Sequence, residues 1–168
     1  MNKKIIKKLL IFFISSTILI FFDQLSKHLA TTNLKNTNEV YEFIKYIIYF
    51  VYHENRGAAF GILQEKYLFF YIITIVIILF ILIYMFKLEL KKGNILKFIS
   101  LIFIFSGAIG NFIDRFFNKF VVDFIWLKYL FFDFPVFNFA DICITVGVGL
   151  LFIVIIFLEK DNTKGNTI

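Results

Sequence analysis

The sequence predicts an all-α integral membrane protein with four transmembrane helices and a small extracytoplasmic β-rich surface segment. Of its 168 residues, 60% are hydrophobic and only 18% are charged, and the mean hydropathy is +0.85. Such a composition is too apolar for an ordinary soluble domain. Four apolar windows approach the roughly 20 residues with which a helix crosses a bilayer. The windows are Leu9–Ala30, Tyr67–Phe86, Phe98–Phe117 and Asn138–Leu158.

The distribution of lysines predicts how these windows are oriented. Three segments hold 10 of the 18 basic residues and only three acids, a net charge of +7, whereas the rest of the chain sums to −1. By the positive-inside rule, the three segments face the cytoplasm, so both termini lie inside and residues 31–66 and 118–137 lie outside. The lysines are Lys3, Lys4, Lys7 and Lys8 before the first window, Lys87, Lys91, Lys92 and Lys97 after the second, and Lys160 and Lys164 after the fourth.

The first window also has the lysine-rich start that is typical of a cleaved secretory signal. However, its apolar run continues through residues Asp23–Ala30 without a small-x-small cleavage site, and its removal would leave an odd number of spans. We therefore interpret it as a retained helix. With no linker or repeat in the sequence, we expect a single membrane-embedded domain over residues 1–168.

Two short segments outside the windows have the composition of strands. Val40–Tyr52 is rich in β-branched and aromatic residues with little helical periodicity, which predicts one or two strands near the membrane surface. Val121–Trp126 is a second run of this kind. Many of the aromatic residues are also explained by simple anchoring at the membrane interface.

Composition disfavours metal, disulfide and nucleic-acid chemistry. A single cysteine, Cys143, cannot form an internal disulfide, and the histidines His28 and His53 are too few for a His-rich metal site. We expect no metal and no cofactor. The net charge of +6 is explained by membrane topology, so a nucleic-acid partner is not expected.

Polar residues inside the windows are candidates for function. An ionisable group at membrane depth costs about 2.5–3.5 kcal/mol on insertion scales and persists mostly where it lines a pathway or a site. In the first window, Asp23 and Lys27 are four residues apart and lie on one helix face. They form either an ordinary interfacial salt bridge or part of a site.

The third window carries a polar stripe at helical spacing, formed by Gly107, Asn111, Asp114 and Arg115. Small residues here, Gly107 and Gly110 among them, are typical of close helix packing in membranes. Asp114 and Arg115 form either an interfacial ion pair or, with Asn111, part of a site.

Two further aspartates differ in their predicted environments. Asp123 lies among apolar neighbours, which favours its protonated form, as a catalytic proton donor requires. Asp141 follows Asn138 by three residues, as in a capping box, and the positive end of a helix favours its ionised form. A turn residue and a simple cap are the alternatives. Cys143 points about 200° away from Asp141 around the helix, toward lipid or packing.

Between the first two windows, the stretch from Asn55 to Gly61 contains several small residues. Gly57 and Gly61 permit backbone conformations that a Cβ would forbid. By spacing alone, this stretch is a plain turn that leads into the second window.

Taken together, five motifs along nearly the whole chain resemble the lipoprotein signal peptidase (signal peptidase II) family of bacteria. Each motif is weak alone, but their order on a four-span frame is specific. They are Asp23-Gln-Leu-Ser-Lys27, Asn55-Arg-Gly-Ala-Ala-Phe60, Gly110-Asn-Phe-Ile-Asp-Arg115, Val122-Asp-Phe124 and Phe137-Asn-Phe-Ala-Asp141.

The resemblance implies an aspartic endopeptidase of the bacterial inner membrane that cuts lipid-modified prolipoproteins just before the lipidated cysteine. It implies that Asp123 and Asp141 are the catalytic pair. Other motif residues then bind substrate or support the site, namely Asp23, Lys27, Asn55, Gly57, Asn111, Asp114, Arg115 and Asn138. Expected partners are the prolipoprotein substrate and membrane lipid, and we expect a monomer.

Two other functions are compatible with acids in membrane helices. A small proton-coupled transporter would usually place them near the midplane, in inverted repeats that are not visible in this sequence. A non-catalytic lipid-binding or assembly protein would tolerate conservative Asp-to-Asn changes.

Overall fold

Four long helices form the body of the chain in a computed structural model, which describes residues 3–37, 40–57, 66–130 and 132–158. The helices are α1 (Lys3–Leu34), α2 (Tyr67–Lys87), α3 (Ile95–Asn118) and α4 (Phe139–Ile153), and a π-helical turn, Val154–Leu158, continues α4. All four are long and apolar enough to cross a membrane, which confirms the predicted spans. The tail from Glu159, with Lys160 and Lys164, lies outside the described residues.

The strand-like segments form one antiparallel sheet in the order β1-β2-β3-β4. The strands are β1 (Tyr41–Ile44), β2 (Ile48–Asn55), β3 (Val121–Tyr129) and β4 (Phe132–Asp133). Strands in the segments Val40–Tyr52 and Val121–Trp126 are therefore confirmed. β2 extends further than predicted because Asn55 pairs with Val121, and β4 has only two residues, too few for a recognisable sequence pattern.

Helix α3 is the most buried of the four and packs against the other three. At the lysine-rich end of the bundle, its aromatic and aliphatic side chains meet those of α1 and α2. The buried residues of this core are Phe12, Ile81, Met85, Leu88, Phe98, Leu101, Ile102 and Phe105. Toward the other end, α3 approaches α4 so closely that a Cβ on Gly107 would collide with the backbone oxygen of Ala140. The predicted packing role of this glycine is thus confirmed.

The sheet lies at one end of the bundle, together with the polar helix ends. Lys119 adopts a left-handed conformation (φ 67°) that ends α3, and β3 begins two residues later. The last turns of α1 contact β2 and β3. The polar residues of α1 and α3 are therefore next to the strand that carries Asp123.

Candidate active site

Asp123 and Asp141 face the same cavity from two different elements. Asp123 lies in β3, and Asp141 lies in the first turn of α4. The cavity, of about 380 Å³, is also lined by Asn55, Asn111 and Arg115. These five residues come from two strands and two helices, and the tertiary fold brings them together.

Asn138 bonds to both aspartates. Its backbone N–H donates to Asp141 Oδ2 (3.1 Å), and its Oδ1 accepts from the Asp141 backbone N–H (3.0 Å), which confirms the predicted capping box. Its Nδ2 donates to Asp123 Oδ1 at 2.6 Å. One buried residue therefore both caps α4 and links the two aspartates, through its side chain to Asp123 and its backbone to the Asp141 carboxylate.

The two carboxyl groups have different surroundings. Asp123 is only 1% exposed, and burial, together with the nearby Asp141 carboxylate, raises the pKa of Asp123 from its ordinary value of 3.8 to about 7. Asn55 Nδ2 donates to Asp123 Oδ2 (2.8 Å) and partly opposes this rise. Asp141 is half-buried at a helix N-terminus and accepts from Asn111 Nδ2 (2.8 Å), a setting that suits a negative charge.

A buried ion cluster lies directly behind this pair. Lys27 Nζ is 2.9 Å from Asp23 Oδ2 and 3.1 Å from Asp114 Oδ2, and all three side chains are almost fully buried. The predicted Asp23–Lys27 pair is confirmed. The alternative of an Asp114–Arg115 ion pair is wrong, because the three-dimensional partner of Asp114 is Lys27 on α1.

Each acid of this cluster also binds the backbone next to a cavity aspartate. Asp23 Oδ1 accepts from the N–H of Ala140 (2.9 Å), the residue before Asp141. Asp114 Oδ2 accepts from the N–H of Val122 (3.0 Å), the residue before Asp123. One lysine thus pairs with both carboxylates that anchor the two elements of the site.

Lys27 also orients Asn111. Its ammonium donates to Asn111 Oδ1 at 3.0 Å, and Asn138 Nδ2 donates to the same oxygen at 3.1 Å. Because the oxygen of this amide is engaged by these donors, its NH2 group faces Asp141.

Arg115, which lines the cavity, also bonds to Gly57. The Arg115 guanidinium donates to the Gly57 carbonyl (3.2 Å) and lies over the Phe70 ring, 4.6 Å from its centroid. Gly57 N–H donates to Asn55 Oδ1 (3.0 Å), in agreement with the predicted turn. The rest of that stretch, residues 58–61, lies outside the described residues.

Two polar residues of the site were absent from the sequence prediction. Gln24 donates to Asp23 Oδ2, Asp114 Oδ1 and the Gly110 carbonyl, and so joins α1 to α3. Its position beside Asp23, inside an apolar window, was the available signal. Thr145 lines the cavity one helical turn after Asp141. No pattern in the sequence identified it as a site residue. Cys143 is buried (2% exposed) and does not line this cavity, consistent with its predicted packing role.

A family model described as Signal peptidase (SPase) II matches residues 15–157, which is most of the chain. The chain belongs to the signal peptidase II family. This match confirms the family that the five motifs predicted. With four membrane-spanning helices, this member of a bacterial family is a multi-pass protein of the inner membrane.

Two relatives and two solved structures agree with this assignment. The lipoprotein signal peptidase of Shouchella clausii (strain KSM-K16) is 43% identical over 92% of this chain and 98% of its own. That of Staphylococcus haemolyticus (strain JCSC1435) is 42% identical over 87% and 89%. Two structures described as bacterial membrane enzymes, solved by the in meso method at 2.3 Å and 1.9 Å resolution, are both 35% identical, with TM-scores of 0.78 and 0.75. They cover 94% and 87% of this chain, which covers 92% of each.

Proposed function

We propose that this protein is an aspartic endopeptidase that removes the signal peptide from diacylglyceryl-modified bacterial prolipoproteins, cutting just before the lipid-modified cysteine. Membership of the signal peptidase II family and the names of the two relatives support the substrate class. The observation that carries the aspartic mechanism is that Asp123 and Asp141 line one cavity and are both bonded to Asn138.

In the proposed mechanism, Asp141 is the base and Asp123 is the acid. Ionised Asp141 takes a proton from a water molecule, whose oxygen attacks the scissile carbonyl carbon. Protonated Asp123 donates its hydrogen to the carbonyl oxygen as the tetrahedral intermediate forms. On collapse, the hydroxyl formed from the carbonyl oxygen returns its proton to Asp123, the C–N bond breaks, and the leaving amine takes the proton held by Asp141. The pair is then back to one proton, on Asp123. No metal and no covalent acyl-enzyme is required.

The environments of the two acids support this division of roles. A pKa of about 7 keeps much of Asp123 protonated at neutral pH. Asp141 receives hydrogen bonds from Asn111 and from the Asn138 backbone, which stabilise a carboxylate. The two groups share one proton, because two close carboxylates resist ionising together.

The remaining predicted site residues support this pair or bind substrate. Asp23, Lys27 and Asp114 hold α4 and β3 in place, and Asn111 and Asn138 orient the carboxyl groups. Arg115 lines the cavity and donates to the Gly57 carbonyl, and these two residues bind the peptide backbone of the substrate.

The lysine distribution supports an active site near the outer face of the membrane, with both termini in the cytoplasm. A site at this depth receives water from one side, while the acyl chains of the substrate stay in lipid on the other. The protein acts as a monomer, since one chain provides both aspartates.

Cleavage by the purified protein tests the proposal. A precursor peptide with a diacylglyceryl-modified cysteine is incubated beside the same peptide without lipid, and the products are identified by mass spectrometry. We expect a single cut before the cysteine, in the lipidated peptide only. Equal cleavage of both peptides would contradict the substrate class. Ion flux in vesicles, or binding without cleavage, would favour a transporter or an assembly protein instead.

A further inference from the structure

A second buried lysine lies at the end of the bundle opposite the sheet. Lys8 of α1 is 5% exposed, and its ammonium donates to the carbonyl oxygens of Met85 (2.8 Å), Phe86 (3.2 Å) and Leu88 (2.8 Å), where α2 ends. These bonds match the three hydrogens of an ammonium group. Within the described ranges, no carboxylate lies within 4.0 Å of it. Its positive charge is therefore hydrogen-bonded, and no carboxylate of the described residues pairs with it.

Lys8 lines a cavity of about 460 Å³ between the start of α1 and the end of α2. Three further lysines, Lys4, Lys87 and Lys91, line the same cavity, and Glu89 is the acid among its lining residues. Glu89 is 82% exposed in its side chain and lies 4.0 Å from Lys91, a distance and an exposure at which an ion pair is weak. Among the described lining residues the lysines outnumber the acid, so the cavity carries a net positive charge around the buried Lys8 ammonium.

We propose that this cavity binds the phosphodiester headgroup of an anionic phospholipid. Basic pockets between transmembrane helices are suited to acidic lipid headgroups, because each lysine near the surface contributes about 1 kcal/mol of attraction. Lys87 and Lys91 are the direct donors to the phosphate, since the Lys8 ammonium already donates to the end of α2. Lys8 attracts the phosphate through its charge, without a direct hydrogen bond to it.

The wall of the cavity favours a lipid over a free anion. Ile5 and Leu90 line it beside the lysines, and both are well exposed, at 37% and 44%. The cavity also lies at the ends of two membrane-spanning helices, at the depth of lipid headgroups. A phospholipid fits this pattern because its phosphate meets the lysines while its glycerol and upper acyl carbons meet the apolar side chains.

Native mass spectrometry of the delipidated full-length protein tests this site. Dioleoyl phosphatidylglycerol is compared with dioleoyl phosphatidylcholine, which has the same acyl chains but no net charge. When each lipid is added to the delipidated protein, we expect one phosphatidylglycerol to bind in preference to phosphatidylcholine. The double variant Lys87→Gln/Lys91→Gln should weaken this binding by about tenfold or more, the change expected for two near-surface lysines. Peptide cleavage should persist, because neither residue lies near the two aspartates.

The matched control is Lys3→Gln/Lys7→Gln. It removes two positive charges from the same end of the bundle, but these two lysines do not line the cavity. This control should keep its phosphatidylglycerol. An equal loss in both double variants would overturn the proposal in favour of diffuse surface charge. Displacement of the lipid by inorganic phosphate at similar concentration would also overturn it, in favour of a free anion site.

A measurement on the unmodified protein makes the test independent of variant folding. Phosphatidylglycerol with a photoreactive headgroup is crosslinked to the wild-type protein in vesicles, and the labelled peptides are sequenced. We expect labels within residues 4–8 and 86–91. Labels spread over the whole lysine-rich end would contradict a defined site.

Discussion

Two of the buried lysines, Lys27 and Lys8, lie toward opposite ends of the same helix and are stabilised in different ways. Lys27 is held between two buried carboxylates, Asp23 and Asp114, at 2.9 and 3.1 Å. Lys8 is held by three backbone carbonyls, which carry only partial charges. At the first end buried carboxylates pair with the cation, whereas at the second no carboxylate of the described residues lies within 4.0 Å of it.

This difference indicates that the Lys27 end supports the fold of the site, whereas the Lys8 end can bind a ligand. The Lys27 cluster has a formal net charge of −1, and its two acids accept from the backbone N–H groups of Ala140 and Val122, so it is suited to positioning Asp123 and Asp141. The Lys8 region instead presents positive charge to a cavity, as an anion site requires. How a buried cation is compensated is therefore more informative than its burial alone.

The largest expected effect is on the cleavage rate, and only variants at the Lys27 end of the bundle should show it. Asp123→Asn or Asp141→Asn should reduce the rate of precursor cleavage by a factor of about 10² to 10⁴ or more, because each removes a proton-transfer group. Glu89→Gln, the same acid-to-amide change at the Lys8 end, should leave the rate unchanged. Rates of cleavage by the purified proteins check this. Normal cleavage by either aspartate variant would remove that residue from the mechanism.

A second prediction compares the two lysines directly. Lys27→Met leaves two buried carboxylates without a cation and should destabilise the protein by about 3–5 kcal/mol. Lys8→Met leaves carbonyl oxygens without a donor and should cost about 1–3 kcal/mol. Unfolding of both variants in mixed micelles of dodecyl sulfate measures the difference.

Removal of the two acids as well provides a control for Lys27. The triple variant Asp23→Asn/Lys27→Met/Asp114→Asn no longer buries unpaired charge, so it should be more stable than Lys27→Met alone. Its cleavage activity should nevertheless stay low, because the anchors of Ala140 and Val122 are weakened. Full activity in the triple variant would mean that the cluster does not position the site.

A third prediction concerns the close contact of α1, α3 and α4. A Cβ on Gly110 would collide with the carboxylate of Asp23, whereas a Cβ on Gly93, at the other end of α3, would meet nothing within 4 Å. Gly110→Ala should therefore lower stability by about 1–3 kcal/mol and reduce cleavage. Gly93→Ala should change neither. Thermal unfolding and cleavage assays on both variants check the expectation, and equal behaviour of the two would contradict this packing.

The smallest expected effect is a pH shift at Asp123. Because Asp123 acts as the acid with a pKa of about 7, the cleavage rate should fall as pH rises above that value. The Asn55 amide lowers this pKa through its hydrogen bond, so Asn55→Leu should move the fall in rate to higher pH. The pH profile of kcat/KM measures both, and a shift to lower pH would contradict the assignment.

The same raised pKa makes a linked prediction for stability. In the unfolded chain, Asp123 loses its proton near pH 3.8, whereas in the folded protein it keeps it to about pH 7. Between these values the folded state binds more protons, so the contribution of Asp123 to stability falls as pH rises from about 4 to 7. Asp123→Asn should remove this part of the pH dependence of unfolding.

Much of the fold follows from local sequence properties. The four spans are recognisable because each apolar run is long enough, as a helix, to cross a bilayer. The strands are recognisable from the β-branched and aromatic runs of residues 40–52 and 121–126. The Asn138–Asp141 cap was also predictable, because both halves of a capping box lie three residues apart. Family membership was predictable from the order of five motifs.

By itself, then, the sequence determined the class of protein, its four spans, its family and the candidate aspartates. Only the tertiary structure decided that Asp114 pairs with Lys27 and not with its neighbour Arg115, that Asn138 joins Asp123 to Asp141, and that Lys8 lines a second cavity. The physical reason is distance along the chain. Helix and strand patterns depend on neighbours a few residues apart, whereas these contacts join segments that only packing brings within hydrogen-bonding range.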